Sequence, residues 1–196
     1  MPRLSTEQRQ EMIIDEAIKI IHAEGYQSFS IRELAKKVKI SEPAIYRHFL
    51  NKEDIILGIL NRMLDFDHLL GKEILTKKTA QNKIKHFVQF HVDFLEKNRE
   101  MTSILFAEDM FDKSEVLRNR LLFIIQKRRN LLATIIEEGK SKNEIVDIDT
   151  QDLLTIILGM IRMIVLEWRL NNFASFLSQR GKNAIKSLDE LIFKKT

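Results

Sequence analysis

The chain of 196 residues is long enough for one large or two small domains, and its 44% hydrophobic and 31% charged residues strike an ordinary globular balance. A net charge of +4 gives only a mild attraction to polyanions. The absence of cysteine excludes a disulfide framework, a thiolate metal site and a thiol redox sensor.

The opening, Met1 to Glu11, is polar, so no secretory signal is expected and the chain is placed in the cytoplasm. An acid-rich first helix leads to Ser30–Asp54, which reads as two short helices joined by a tight turn and run into a third. Ile31, Leu34, Ala35 and Val38 recur at i, i+3, i+4 and i+7, one stripe of a helix too short to stand without a tertiary partner. Ile45 and Phe49 are the i, i+4 pair of the next helix. Ser30, Ser41 and Asn51 are placed to accept hydrogen bonds from first-turn amides as N-caps, and Ser30 with Glu33 makes a capping box. Phe29 with Leu34, Ile40 with Ile45 and Leu50 with Ile55 are spaced as hydrophobic staples. Together these starts predict a helix-turn-helix with a following helix docked on it.

On the second helix, Glu42, Pro43, Ala44, Tyr46 and Arg47 lie on or beside the face opposite Ile45 and Phe49, free to enter a major groove. Lys52 stands in a first helical turn, where the macrodipole favours acids, so an anion such as a phosphate oxygen is expected beside it. Half-buried amphipathic packing is the competing account of Tyr46 and His48. Arg32 to Lys52 holds six Lys or Arg against two Glu, so the positive field is local and DNA affinity should fall steeply with salt.

Proline occurs only at positions 2 and 43 and glycine six times, so the rest of the chain reads as helix and the fold class as all-α with about nine helices. Ile56, Ile59, Leu60 and Met63 mark a long fourth helix; Ile84, Phe87, Val88, His91 and Leu95 mark a fifth. A shorter element runs from about Met101 to Met110, and Leu117, Leu121, Ile124, Ile125, Leu132 and Ile135 mark the next. Lys140 to Asn143 reads as a loop, with Asp149 or Thr150 capping a helix over Leu153–Phe173. That helix is apolar nearly all round up to Leu166, yet too short and, with Arg162, too polar for a bilayer span, so no membrane contact is expected. The amphipathic last helix, with Ile185, Leu188 and Ile192, covers only part of it. A second subunit is the simplest cover for the rest, which assigns Leu154, Ile157, Ile161 and Trp168 with Ile185, Leu188 and Ile192 to a homodimer contact.

The motifs Phe29–Ala35, Ser41, Ala44–Phe49 and Lys52-Glu53, after a first helix ending at Gly25-Tyr26, resemble the TetR family of one-component transcriptional regulators over roughly residues 6–65. The resemblance implies a DNA-binding domain at 6–66, with the helix-turn-helix at about 30–49, and a helical effector-binding and dimerisation domain at 67–196. It implies phosphate contacts from Ser30, Tyr46, His48 and Lys52, and base or groove contacts from Arg32, Glu42, Pro43, Ala44 and Arg47. The family commonly has glycine in the turn where this chain has Lys39; a positive φ there would cost a lysine on the order of 1 kcal/mol, so either the turn differs slightly or Lys39 serves near the DNA backbone.

Regulators of this kind bind an inducer in the region from Leu64 to Leu170, here rich in large adaptable side chains. Phe66, Phe87, Phe90, His91, Phe94, Phe106, Met110, Met160 and Met163 are the candidate lining of a pocket for a small apolar or amphipathic effector, with ordinary core packing as the competing account. His86 and His91, five apart, do not share a helical face, so no metal is assigned, and no cofactor or catalytic constellation is apparent. The expected function is therefore a homodimeric repressor, released from a pseudo-palindromic duplex operator by its effector, and not an enzyme. A DNA-bound adaptor acting through a protein partner is the second reading, because Glu96–Leu105, Met110-Phe111 and Leu117-Arg118 are loosely similar to nucleoid occlusion factors. A helical enzyme or carrier with an incidental basic patch is the third.

Overall fold

A computed structural model describes residues 5–193; Met1 to Leu4 of the polar opening, and the last three residues of the expected C-terminal domain, lie outside the described residues. Ten α-helices form among them: α1 (Thr6–Glu24), α2 (Ile31–Val38), α3 (Glu42–Tyr46), α4 (Lys52–Leu75), α5 (Ala80–Lys97), α6 (Thr102–Leu105), α7 (Glu108–Asp112), α8 (Glu115–Ser141), α9 (Thr150–Leu170) and α10 (Leu177–Ile192). The fold is all-α as expected. One isolated antiparallel bridge, Ile145 to Phe193, is the only β pairing among the described residues.

The helix count exceeds nine because the element expected over Met101–Met110 breaks after Leu105, and no side chain caps either piece. The expected loop at Lys140–Asn143 starts later than its polarity suggests. Helix α8 continues through Ser141, and Lys142 still reaches back one turn to Glu138 at 2.7 Å.

Residues up to Leu64 together with Glu100–Phe123 form one compact unit, and Asp65–Arg99 with the chain from Ile124 onward forms a second. In the first, α1 packs on α2 and α6, and α2 on α3. Its core includes Ile13, Ala17, Ile21, Phe29, Leu34, Ile45, Ile55 and Ile59. Arg62 of α4 binds Asp15 of α1 at 2.6 Å and also Glu11, fixing one long helix against the other.

In the second unit α5, α9 and α10 pack on one another. The approach of α10 to α5 is close enough that a Cβ on Gly181 would lie 2.6 Å from Val92 Cγ2. Capping explains where these helices begin: Thr79 accepts from the Asn82 amide at 3.1 Å, and Asp149 accepts from Gln151 and Asp152 at 2.7 and 3.2 Å. Such bonds satisfy first-turn donors that have no partner within the helix. The division between units falls inside α4 and inside α8.

Candidate functional site

The turn between α2 and α3 is built by chemistry that the side chains dictate. Ser30 accepts the Glu33 amide at 3.2 Å and starts α2, while only this half of the expected capping box forms. At the other end Lys39 adopts φ 58° and ψ 43°, the left-handed conformation, and its amide and that of Ile40 close the helix onto Lys36 and Ala35. Ser41 departs from expectation, because its side chain makes no capping bond. Pro43 occupies the second helical position and has no N–H, and the Ala44 amide already bonds the Ser41 carbonyl at 2.9 Å.

Helix α3 is shorter than expected and ends at Tyr46, so Phe49 lies just beyond it rather than on the helix with Ile45; both are buried, while Glu42, Pro43, Tyr46 and Arg47 are exposed and Ala44 and His48 half-buried. Tyr46 is 49% exposed, which removes simple packing as its account. Ser30, Arg32, Lys39 and Ser41 are exposed as well. Leu50 does not complete the third staple. It is 81% exposed, its amide held by the Asp54 carboxylate at 2.8 Å, and Phe49 fills the buried place. Asn51 caps α4 as expected, accepting the Asp54 amide at 2.8 Å.

Lys52 is half-buried, and the groups it touches are a carbonyl and two aromatic rings. Its ammonium donates to the Tyr26 carbonyl at 2.8 Å and sits 4.0 Å from the Tyr26 ring centre and 5.4 Å from that of Phe29. Burial pushes the Lys52 amine below its ordinary value, against the opposing charge of Asp109. One of three ammonium protons is used at the carbonyl, so others remain to donate. His48 is held below the ordinary histidine value by burial first and then by the neighbouring charges of Arg9 and Arg47. Of these causes only the charges of Arg9 and Arg47 would attract a phosphate. Arg9, and Gln10 whose amide donates to the His48 carbonyl at 3.3 Å, were missed in the sequence. Their position one helix away leaves no local signal.

The aromatic residues expected to line an effector site divide. In the second unit Phe66 lies 4.2 Å from Phe90 and 3.9 Å from Phe94, centre to centre, while Phe87 and Phe66 flank His91 at 4.5 and 6.1 Å. His91 Nδ1 is 2.7 Å from the Phe87 carbonyl, which only accepts, so Nδ1 carries the proton. Burial, with the Arg128 charge, pushes His91 down to about 3, against the pull of that backbone bond. Arg128 itself is paired with Asp67 at 2.9 Å. Phe106 and Met110 belong instead to the first unit, with Met110 fully buried there. Met160 is half-buried and Met163 is 55% exposed, so Met163 is a surface residue of α9 and lines no interior pocket.

The residues assigned to the dimer contact are also redistributed. Leu154, Ile157, Ile161, Trp168, Leu188 and Ile192 are buried within the protomer, where a partner subunit does not reach them, and Ile185 is half-buried. Trp168 is pinned inward, its indole N–H donating to the Ser175 carbonyl at 2.8 Å and its ring edge-on to Phe173. What α9 leaves in solvent is a different stripe, Ile156, Met163 and Leu170, spaced seven apart.

Comparison with known proteins gives matches along most of the chain. The family model described as bacterial regulatory proteins, tetR family, matches residues 13–59, and the model described as YsiA-like protein, C-terminal region, matches 60–189. The fatty acid metabolism regulator protein of Bacillus subtilis is 27% identical over 162 residues, covering 82% of this chain and 83% of that protein. Nucleoid occlusion factor SlmA of Vibrio cholerae is 27% identical over 172 residues, 84% of this chain and 83% of that one. The crystal structure of transcriptional regulator FadR from Bacillus subtilis in complex with stearoyl-CoA superposes with a TM-score of 0.81 at 25% identity, covering 90% of this chain and 95% of that one.

Proposed function

This chain belongs to the TetR family of bacterial regulatory proteins and is a DNA-binding transcriptional regulator, and we propose that it acts as a homodimeric repressor released from a pseudo-palindromic operator by an amphipathic effector. The observation that carries the DNA half is the left-handed turn at Lys39, which ends α2 so that α3 offers Glu42, Pro43, Tyr46 and Arg47 to a groove. Ser30, His48 and Lys52 then serve phosphates, Lys52 with the protons its carbonyl partner leaves free. Arg32, Ala44 and Ser41 flank the groove.

Dimerisation follows from the exposed stripe of α9, Ile156, Met163 and Leu170, which a second copy covers. An isologous contact there gives the dimer two-fold symmetry and so selects a two-fold operator. The effector half rests on the cluster of Phe66, Phe87, Phe90, His91 and Phe94. Phe66 is carried by α4, whose first turn holds Lys52, so a ligand that prefers one position of α4 biases DNA affinity. The fatty acid metabolism regulator among the relatives, and FadR bound to stearoyl-CoA, make compounds with a long alkyl chain the first class to try. A buried polar atom in that cluster favours a ligand over the protein-partner reading suggested by the nucleoid occlusion relatives. The proposed site of action is the cytoplasm, and no catalysis is assigned.

Selection of bound sequences from a random DNA pool at physiological salt tests the reading. A palindromic site is expected, with Tyr46→Ala binding it more weakly. Lys52→Gln should lose affinity for every sequence alike, with thermal unfolding reading separately the cost of its lost contacts to Tyr26 and Phe29. Recovery of no two-fold site, or parent-like binding by both variants, would reject the DNA assignment.

A further inference from the structure

His91 is 7% exposed and makes one hydrogen bond, from Nδ1 to the Phe87 carbonyl at 2.7 Å. That bond fixes the tautomer and leaves Nε2 as a bare acceptor, and Nε2 is buried with no hydrogen-bond partner. A buried acceptor without a donor loses the interactions it has in water, and such atoms are few in folded proteins. The rings of Phe66 and Phe87 lie against His91, with those of Phe90 and Phe94 tilted onto Phe66. The nearby charge of Arg128 is occupied by Asp67, at 2.9 and 3.0 Å through Nε. Phe66, Phe90 and Phe94 are only half-buried, whereas Phe87 and His91 are buried beneath them, so the cluster has an open apolar side and a polar floor.

We propose that His91 Nε2 is the polar anchor of an effector site and selects an apolar chain that carries an uncharged hydrogen-bond donor, a hydroxyl or an amide N–H, at the depth of the Phe66, Phe90 and Phe94 rings. This deepens the effector-released repressor reading and rests on it. The chemistry follows from the lone pair. An ether, ester or thioester oxygen and an ionised carboxylate are acceptors only, so each sets electron density against Nε2. A cationic group would bring net charge into a low-dielectric site where Arg128 already exerts a positive field. A neutral donor satisfies Nε2 without adding charge.

The test uses two isomers of one formula, 1-dodecanol and undecyl methyl ether, which share length and apolar area and differ in the O–H. Titration calorimetry on the full chain, without DNA, should show the alcohol binding tighter by about tenfold, the equivalent of one well-made hydrogen bond. In His91→Phe that preference should shrink to about twofold or less, with the ether binding no more weakly than to the parent. Equal binding of the isomers by the parent, binding of neither, or a preference that survives in His91→Phe overturns the inference. The comparison on the parent alone decides the matter should His91→Phe fail to fold. Release of a selected operator, followed separately by fluorescence anisotropy, keeps the two readings apart. A His91-dependent preference without DNA release leaves the anchor standing and removes the effector-release reading. Release by both isomers equally does the reverse.

Discussion

Lys39 holds φ at 58°, where a Cβ crowds the following carbonyl at a cost of about 1 kcal/mol. Lys39→Gly removes that strain, so the melting temperature should rise. The same change deletes a cation placed beside the DNA backbone, which should weaken all sequences alike and lower the salt slope by about one. Thermal unfolding and a salt titration of affinity read the two effects, and unchanged DNA binding would strip Lys39 of its proposed contact. His91 supplies a pH prediction. Its folded-state value of about 3 lies below the ordinary 6.5, so between these values the unfolded chain binds a proton that the folded chain refuses. Stability therefore falls as pH drops from about 6.5 toward 3, by at most about 1.4 kcal/mol per unit. Urea unfolding at neutral and mildly acid pH should show the parent losing more stability than His91→Phe; equal losses would mean that the ring is not held neutral. Lys52 shows how far one residue is legible in sequence. Its conflict with the helix dipole was visible, but the carbonyl and rings of Tyr26 and Phe29 that answer it are 26 and 23 positions away, beyond any local pattern.

Helix starts were the readable elements, because a cap is a local bond between neighbours in sequence. Ser30, Asn51 and Asp149 each accept the amides their spacing predicts. Ser41 fails because Pro43 has no N–H and the Ala44 amide bonds the Ser41 carbonyl instead; the proline is legible in the sequence, the carbonyl bond is not. The contact between α5 and α10 was not readable, since nothing near Gly181 in the chain announces Val92. A Cβ there would lie 2.6 Å from Val92 Cγ2, and a β-branched side chain in a helix has little freedom to turn aside. Gly181→Ala should therefore destabilise by about 1 to 3 kcal/mol, opposite in sign to the gain of about 1 kcal/mol that alanine brings in an open helix. Val92→Ala should offset most of the loss when the two are combined, a coupling that a double-mutant cycle in urea measures. A higher melting temperature for Gly181→Ala alone would contradict this packing.

At the scale of the molecule the open question is which face of α9 meets a partner, and composition could not answer it. A helix apolar nearly all round has no preferred phase, so Leu154 and Ile161 looked as available as Ile156 and Met163 until α5 and α10 were seen to pack on it. The packing buries the first pair and leaves Ile156 at 46% and Met163 at 55% exposed, with Leu170 at 72%. Two substitutions of the same kind on the two faces then behave differently. Leu154→Glu places a charge in the protomer core and should unfold it, because a buried unpaired carboxylate is strongly disfavoured. Met163→Glu leaves the protomer intact, with unchanged helical circular dichroism, and sets two carboxylates near the two-fold axis of the proposed dimer. Sedimentation equilibrium at micromolar concentration should shift from dimer to monomer. Affinity for the two-fold operator should fall by about 10² to 10⁴, since each reading head then binds without the effective concentration that its partner provides. Binding to an isolated half-site should be unaffected, which separates lost association from a damaged reading head. A Met163→Glu protein that still sediments as the parent dimer would move the interface off this stripe.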